Sequence, residues 1–296
     1  MIIEALLLTG LRTRIAPTPS GFLHEGNAIN FSAVHQLAQA NNGHVLLRID
    51  DLDAERTRPE YIEDIFSTLD QLGIVWHEGP SGPDDFHKEW SQHVRVDAYQ
   101  EVLGRLRDLD LVYACDCSRS DVAAVSPQGR YPGTCRALGK PLTNDTSAWR
   151  LNLHGAEQVG FLELGEGRKS LDLERVMGDP IVRTRAHGNV PPRPSYQIAS
   201  LADDVHFRIN TIVRGNDLLP STACQMHIAD LLHLGDFHSA SFLHHQLITT
   251  ADGRKLSKST GDASLRQGLG NERSIEAIHA AARSLLTARG LLPDAG

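Results

Sequence analysis

An α/β fold built on a parallel, Rossmann-like sheet is predicted by three observations in this chain of 296 residues. Short apolar runs fit for buried strands alternate with longer stretches whose apolar residues recur at helical spacing. Turn and stop residues separate them. Polar clusters follow directly on the apolar runs, at the carboxyl ends of strands, where ligands gather on such sheets.

The first strand is the run Thr13 to Ala16, which Pro17 and Pro19 end because neither ring permits a regular strand or helix to continue. A tight loop follows. Residues 28–40 place Ile29, Ala33, Leu37 and Ala40 at helical spacing, and Asn41-Asn42-Gly43 supplies the stop. Val45 to Ile49 is the next strand and runs into Asp50-Asp51-Leu52-Asp53. Residues 60–73 set Ile62, Ile65, Phe66 and Leu69 on one helical face ending at Gly73. This β-α-β-α order implies a parallel sheet. Cysteines, prolines and glycines break the rhythm over residues 110–190, which read as an insertion. Strands resume at Thr211-Ile212-Val213, and a helix over 274–289 closes the chain. The expected organisation is a first half-domain at 1–109, the insertion at 110–190, the second half-domain at 191–262 and a helical tail at 263–296.

Composition narrows the function classes. A chain 41% hydrophobic and 22% charged can bury a sizeable core. No stretch approaches the roughly 20 apolar residues of a membrane span, and the opening MIIEALLLTG lacks the basic lead and cleavage site of a signal peptide. Four cysteines do not make a disulfide scaffold, so a cytoplasmic location is expected. A net charge of −8 argues against indiscriminate nucleic-acid binding, while a local basic face can still hold RNA.

Two segments carry the chemistry. The loop from Arg14 to Asn27 reads RIAPTPSGFLHEGN and hands a strand over to a helix N-terminus. Unsatisfied N–H groups and the helix dipole favour an anion there; Gly26 admits a close approach to the backbone, and His24 can donate to a phosphate oxygen. Far downstream stands Lys255-Leu256-Ser257-Lys258-Ser259, two lysines three apart in a loop flanked by Gly253 and Gly261. Such a loop suits a positioned point charge near phosphate. A third cluster is Cys115-Asp116-Cys117, then thirteen residues, then Tyr131-Pro132-Gly133-Thr134-Cys135. Three soft sulfurs suit zinc, which takes four tetrahedral ligands in structural sites. From the residues alone the fourth ligand is open, with a histidine such as His154 a candidate. Cys224, far away, reads as a packed core residue.

In order and spacing these segments resemble the glutamyl-tRNA synthetases of the class I aminoacyl-tRNA synthetase superfamily, whose HIGH and KMSKS signatures the two loops match. The resemblance runs along nearly the whole chain and includes Arg48-Ile49-Asp50-Asp51-Leu52-Asp53, Trp90-Ser91-Gln92 leading to Tyr99, Pro194-Ser195-Tyr196-Gln197, Asp203-Asp204 and Val213-Arg214-Gly215-Asn216-Asp217-Leu218-Leu219. Within that family it is similar to the shortened branch, the glutamyl-queuosine tRNA(Asp) synthetases. Only 37 residues follow Ser259, too few for a helical anticodon-binding region, so none is expected. The branch also carries the Cys-x-Cys, Tyr, Cys pattern, which implies zinc held by Cys115, Cys117, Tyr131 and Cys135.

The resemblance implies a two-step reaction. Glutamate's α-carboxylate attacks the α-phosphorus of ATP, and the adenylate is then intercepted by a hydroxyl on the cyclopentene ring of queuosine at the wobble position of tRNA(Asp). Catalytic roles fall to His24, Asn27, Lys255 and Lys258; His24, Gly26, Asn27 and Lys258 hold ATP with its magnesium. Free glutamate wants a guanidinium fork for its side chain and a carboxylate for its ammonium. By resemblance Arg14, Ala16, Thr18, Asp50, Tyr196 and Arg214 line its pocket, with Arg214 on the side-chain carboxylate. The family carries glutamate where this chain has Asp50, so the ammonium contact needs a compensating shift or a bridging water. Three alternatives stand beside this reading: a truncated conventional glutamyl-tRNA synthetase acting on a 3′ adenosine, transfer to a protein or small metabolite, and a zinc-containing RNA-binding paralogue without activation.

Overall fold

The computed structural model describes residues 8–126, 128–156, 158–246, 265 and 272–293. β1 (Arg12–Ile15) and β2 (His44–Leu47) pair in parallel, with Arg12 opposite His44 and Ile15 opposite Leu47. Their backbones stay joined beyond the strands, Arg48 N donating to Ile15 O at 2.9 Å and Asp50 N to Pro17 O at 2.9 Å. The proline loop and the acidic cluster therefore leave the sheet side by side. β8 (Thr211–Gly215) and β9 (Ser241–His245) form a second parallel pair. β1 lies beside β8, tied by Asn210 N to Arg12 O at 3.0 Å and by Arg12 N to the Asn210 side-chain oxygen at 2.8 Å. The α/β class with a parallel sheet is as the sequence predicts.

The first helix starts where its cap dictates. α1 (Glu25–Ala40) begins three residues earlier than the apolar spacing indicates, because His24 caps it: His24 Nδ1 accepts from Asn27 N at 3.3 Å while His24 N donates to Asn27 Oδ1 at 3.2 Å. Ala40, expected on the apolar face, is exposed at the other end. The stop works through Asn41 at the C-cap and Asn42 at φ 48°. α2 (Pro59–Gln71) buries Ile62, Ile65 and Leu69, with Phe66 only half-buried. Buried Asp64 on α2 accepts from Leu23 N at 2.8 Å and pins the loop before α1. A single turn, α3 (Pro83–Asp85), precedes α4 (Val96–Asp108).

β3 (Val112–Cys115), β4 (Ala148–Leu151) and β7 (Ile181–Arg183) make a separate antiparallel sheet, with α5 (Arg119–Val125) beside it. Residues 158–172, which the sequence reading assigns to the same insertion, do not stay with it. β5 (Gln158–Glu163) pairs in parallel with β9, and β6 (Gly167–Asp172) pairs antiparallel with β5. The physical reason lies in the alternation of β5: Val159, Phe161 and Glu163 point inward, and Phe161 meets Phe242 edge-to-face at 5.9 Å. α6 (Leu173–Met177), α7 (Tyr196–His206) and α8 (Leu219–Leu231) follow, and α9 (Glu272–Thr287) packs along α1, Ser32 Oγ meeting His279 Nδ1 at 2.7 Å. Among the described residues no helix is long and apolar enough to cross a membrane.

Beneath the α1–α9 contact, buried His35 accepts from Val75 N through Nε2 at 3.4 Å. Burial, then the neighbouring His279 and His77, lowers its pKa from the ordinary 6.5, so the native state keeps it neutral. The unfolded imidazole takes a proton as pH falls through about 6.5 while the native one does not; stability is therefore full above that pH and lost as it falls toward the folded value. We expect melting temperatures to decline on that acid side, and His35→Gln to flatten the decline. An acid limb of unchanged slope in His35→Gln would contradict this.

Candidate functional site

A cavity of about 470 Å³ opens where the carboxyl ends of β1, β2, β8 and β9 meet the N-terminus of α1. Arg14, Ala16, Pro17 and Thr18 reach it from β1 and its loop, Asp50 from the extension of β2, Arg214 and Gly215 from β8 and His245 from β9. His24, Gly26 and Asn27 line it from the start of α1, and Tyr196 from the start of α7. The structure thus gathers into one cavity the nine residues of the first loop, the acidic cluster and the second half that the sequence singles out for amino acid and nucleotide. Lys255 and Lys258 lie outside the described residues.

Behind the wall is a buried ionic lattice. Arg48, fully enclosed, grips Asp50 with two donors, Nε to Oδ1 at 2.7 Å and Nη2 to Oδ2 at 3.1 Å, and reaches Asp204 Oδ1 through Nη1 at 2.6 Å. Arg14 Nε donates to the same Asp204 oxygen at 3.1 Å. Asp203 accepts from Arg95 Nε and the Tyr99 hydroxyl, both at 2.8 Å, and from Gln92 at 2.9 Å. Burial alone would raise the Asp203 carboxyl, but Arg48 and Arg95 outweigh it and hold it below the ordinary range. At Asp50 burial prevails over the Arg48 contact, and its pKa is raised. Arg48 itself is held well above the usual guanidinium value, the three aspartates overcoming burial.

Arg214 differs from the other arginines. It is 4% exposed, its Nη1 donates to Gln225 Oε1 at 3.0 Å, and its guanidinium lies 5.2 Å from the centre of the Phe242 ring. Its Nε and Nη2 are buried and make no hydrogen bond among the described residues, and burial lowers its pKa. The lattice of Arg14, Arg48, Arg95, Asp50, Asp203 and Asp204 is formally neutral, and Arg214 stands outside it at the cavity wall, with no ion pair among the described residues, while Asp217 lines the same cavity. A buried guanidinium with two open donors matches an incoming carboxylate.

Reasoning from sequence found the lining residues but not the lattice: Arg48, Asp203 and Asp204 appear there only as parts of a resemblance, and Arg95 not at all. The available signal was charge on elements otherwise apolar, with Arg48 continuing the strand VLL and Asp203-Asp204 on the helix that Tyr196 starts. His245, at the cavity, meets Asn30 across 2.9 Å and carried no sequence signal.

The cysteines form a second centre in the antiparallel subdomain. The Sγ atoms of Cys115, Cys117 and Cys135 all lie within 4.8 Å of one another, Cys117 and Cys135 being 3.6 Å apart. The Tyr131 hydroxyl sits among them, 3.3 Å from Cys115 Sγ and 3.4 Å from Cys117 Sγ. Thiolate bonds of about 2.3 Å in a tetrahedral shell put sulfurs roughly 3.8 Å apart, so this grouping could hold a metal ion. Arg150 lies 3.7 Å over the Tyr131 ring and donates to Cys115 Sγ at 3.2 Å, fixing both. His154, the alternative fourth ligand, is instead exposed and paired with Glu174 at 3.5 Å. Cys224 is buried alone in α8, as expected.

Comparison with known proteins agrees with this geometry. Residues 10–287 match the family model for tRNA synthetases class I (E and Q), catalytic domain. The Glutamyl-Q tRNA(Asp) synthetase of Pseudomonas fluorescens is 38% identical over 246 residues, covering 83% of this chain and 75% of that protein. Its counterpart from Burkholderia mallei is 36% identical over 289 residues, covering 94% of this chain and 89% of that protein. In fold, the glutamate-tRNA synthetase of Elizabethkingia anophelis superposes with a TM-score of 0.68 at 24% identity, over 86% of this chain and 53% of that one. The chain thus spans about half the length of that solved structure. With a loop, a cavity and a sheet all of one kind, the chain belongs to the class I tRNA synthetases of the glutamate and glutamine type, and within them to the Glutamyl-Q tRNA(Asp) synthetase relatives, a family of ligases.

Proposed function

We propose that this chain activates L-glutamate with ATP, without needing tRNA, and transfers the glutamyl group to the cyclopentene-diol of queuosine at the wobble position of tRNA(Asp). The observation that carries the reading is Arg214: a buried guanidinium at the cavity wall with two donors, Nε and Nη2, that make no hydrogen bond among the described residues. In this reading Arg214 takes the side-chain carboxylate and Asp50, held by Arg48, takes the ammonium. Arg14 offers a second cationic contact, Ala16 and Thr18 line the pocket and Tyr196 closes it with its hydroxyl. The α-carboxylate is left to attack the α-phosphorus.

ATP lies along the start of α1, where Gly26 admits it and His24 and Asn27 frame the exposed N–H groups of the first turn. The cap already commits His24 Nδ1 and Asn27 Oδ1, so the imidazole is oriented before nucleotide arrives. Lys255 and Lys258 neutralise the leaving pyrophosphate, and magnesium arrives with ATP as part of the substrate. No side chain forms a covalent intermediate; rate comes from orientation and from electrostatics fixed in advance. Zinc, held by Cys115, Cys117, Tyr131 and Cys135, stabilises the antiparallel subdomain and takes no part in the chemistry. Unpaired cysteines fit work in a reducing cytoplasm. The queuosine acceptor and the tRNA(Asp) anticodon stem-loop are supported by the relatives, whose names state that activity.

The test is ATP–pyrophosphate exchange with purified protein and no RNA. Exchange with L-glutamate is expected, with L-aspartate and L-glutamine far weaker. No exchange with any acidic amino acid would overturn the reading in favour of a binding paralogue.

A further inference from the structure

We infer that Asp204 is a positioning residue that sets amino-acid selectivity, one buried carboxylate fixing together the cation Arg14 and, through Arg48, the anion Asp50. The inference rests on reading the cavity as the glutamate site.

Asp204 sits on α7, eight residues after Tyr196, and does not line the cavity. It is fully buried, and a single oxygen, Oδ1, accepts from both Arg14 Nε and Arg48 Nη1. Arg14 is held by its Nε alone, so among the described residues its two terminal nitrogens make no other hydrogen bond while the side chain lines the cavity. Arg48 is a planar fork with fixed directions: once Nη1 is committed to Asp204, its Nε and Nη2 point at Asp50 and clamp both carboxylate oxygens. Asp50 is a methylene shorter than a glutamate and has little freedom of its own. Where its carboxylate stands is decided by Arg48, whose shortest anchor outside Asp50 is Asp204 at 2.6 Å, with Ser200 O and Oγ accepting at 3.4 and 3.2 Å.

The cost of this arrangement is visible. Asp204 Oδ2 is buried and makes no hydrogen bond among the described residues. A carboxylate kept in such a place contributes less to stability than its charge suggests, since an unsatisfied buried oxygen keeps its desolvation penalty. Removing the charge would leave Arg14 and Arg48 sharing fewer anions beside Arg214, and a wall one charge more positive disfavours the substrate ammonium. The predicted consequence is loss of selectivity for the ammonium rather than loss of affinity for carboxylates.

Glutarate, the same dicarboxylate without the amino group, reads this out. The experiment measures KM for L-glutamate and for ATP in pyrophosphate exchange, with the competitive Ki of glutarate, in the parent and in Asp204→Asn. For Asp204→Asn we expect glutamate KM to rise about tenfold or more, the worth of one charged contact, and the ratio of glutarate Ki to glutamate KM to fall by a similar factor. ATP KM should stay within about twofold, because the nucleotide residues share no partner with Asp204. Equal weakening of glutamate and glutarate, or a parallel rise in ATP KM, would mark general loosening and overturn the inference. If Asp204→Asn does not fold, Arg48→Lys serves: a lysine cannot clamp Asp50 and reach Asp204 at once, so the same fall in ratio is expected, and a retained ratio overturns the inference. A parent protein without glutamate-dependent exchange overturns the underlying reading itself, and the inference with it.

Discussion

Arg214→Met should abolish amino-acid activation while leaving the fold as stable as the parent or more so. Two charge-assisted hydrogen bonds at ~2 kcal/mol each correspond to roughly a thousandfold loss in kcat/KM for glutamate. The stability arm is the more telling one. In the free protein the guanidinium is buried, and among the described residues Nε and Nη2 make no hydrogen bond and its charge has no ion-pair partner. Such a group is a liability until ligand arrives, and a methionine of similar length can pack against Phe242 without it. A melting temperature equal to or above the parent's, with exchange lost and ATP KM little changed, is the expected pair of results. A strongly lowered melting temperature would place Arg214 in the fold rather than in recognition.

Cys115→Ser should lose the metal and loosen the antiparallel subdomain. Cys115 closes β3, is 1% exposed, and holds one corner of the sulfur cluster against Tyr131 and Arg150. Structural zinc sites bind with an apparent ~10 kcal/mol or more, and that free energy is folding free energy for the segments it joins. Metal analysis should give close to one zinc per parent chain and less than about a tenth of that in the variant. Amide exchange should rise in β3, β4 and β7 and stay protected in α1, which belongs to a different core. Equal zinc content in variant and parent would count against the site.

What could be read from sequence was what lies close together along the chain. The loop from Arg14 to Asn27 announces itself because two prolines, two glycines and a histidine serve one strand-to-helix junction within fourteen residues. The cysteines do so through their spacing. The ionic lattice was not legible in its connections, because Arg14 and Asp204 are 190 positions apart and Arg48 and Asp204 are 156, and no local pattern says which carboxylate meets which arginine. The strands β5 and β6 were absorbed into the insertion for a related reason. β9, the partner that draws β5 into the main sheet, comes nearly 80 residues later, and the glycines around the two strands resemble a loop. The early start of α1 was missed because apolar periodicity begins at Ala28, whereas the helix begins at its cap.

The most direct measurement is transfer of labelled L-glutamate, in the presence of ATP, to three RNAs: queuosine-containing tRNA(Asp), the same tRNA with unmodified guanosine, and tRNA(Glu). The account requires label on the first alone, since the proposed function has glutamate activated at this site and transferred to queuosine, the acceptor that the relatives' names imply. Label on tRNA(Glu) would contradict it and identify a conventional enzyme acting at the 3′ end.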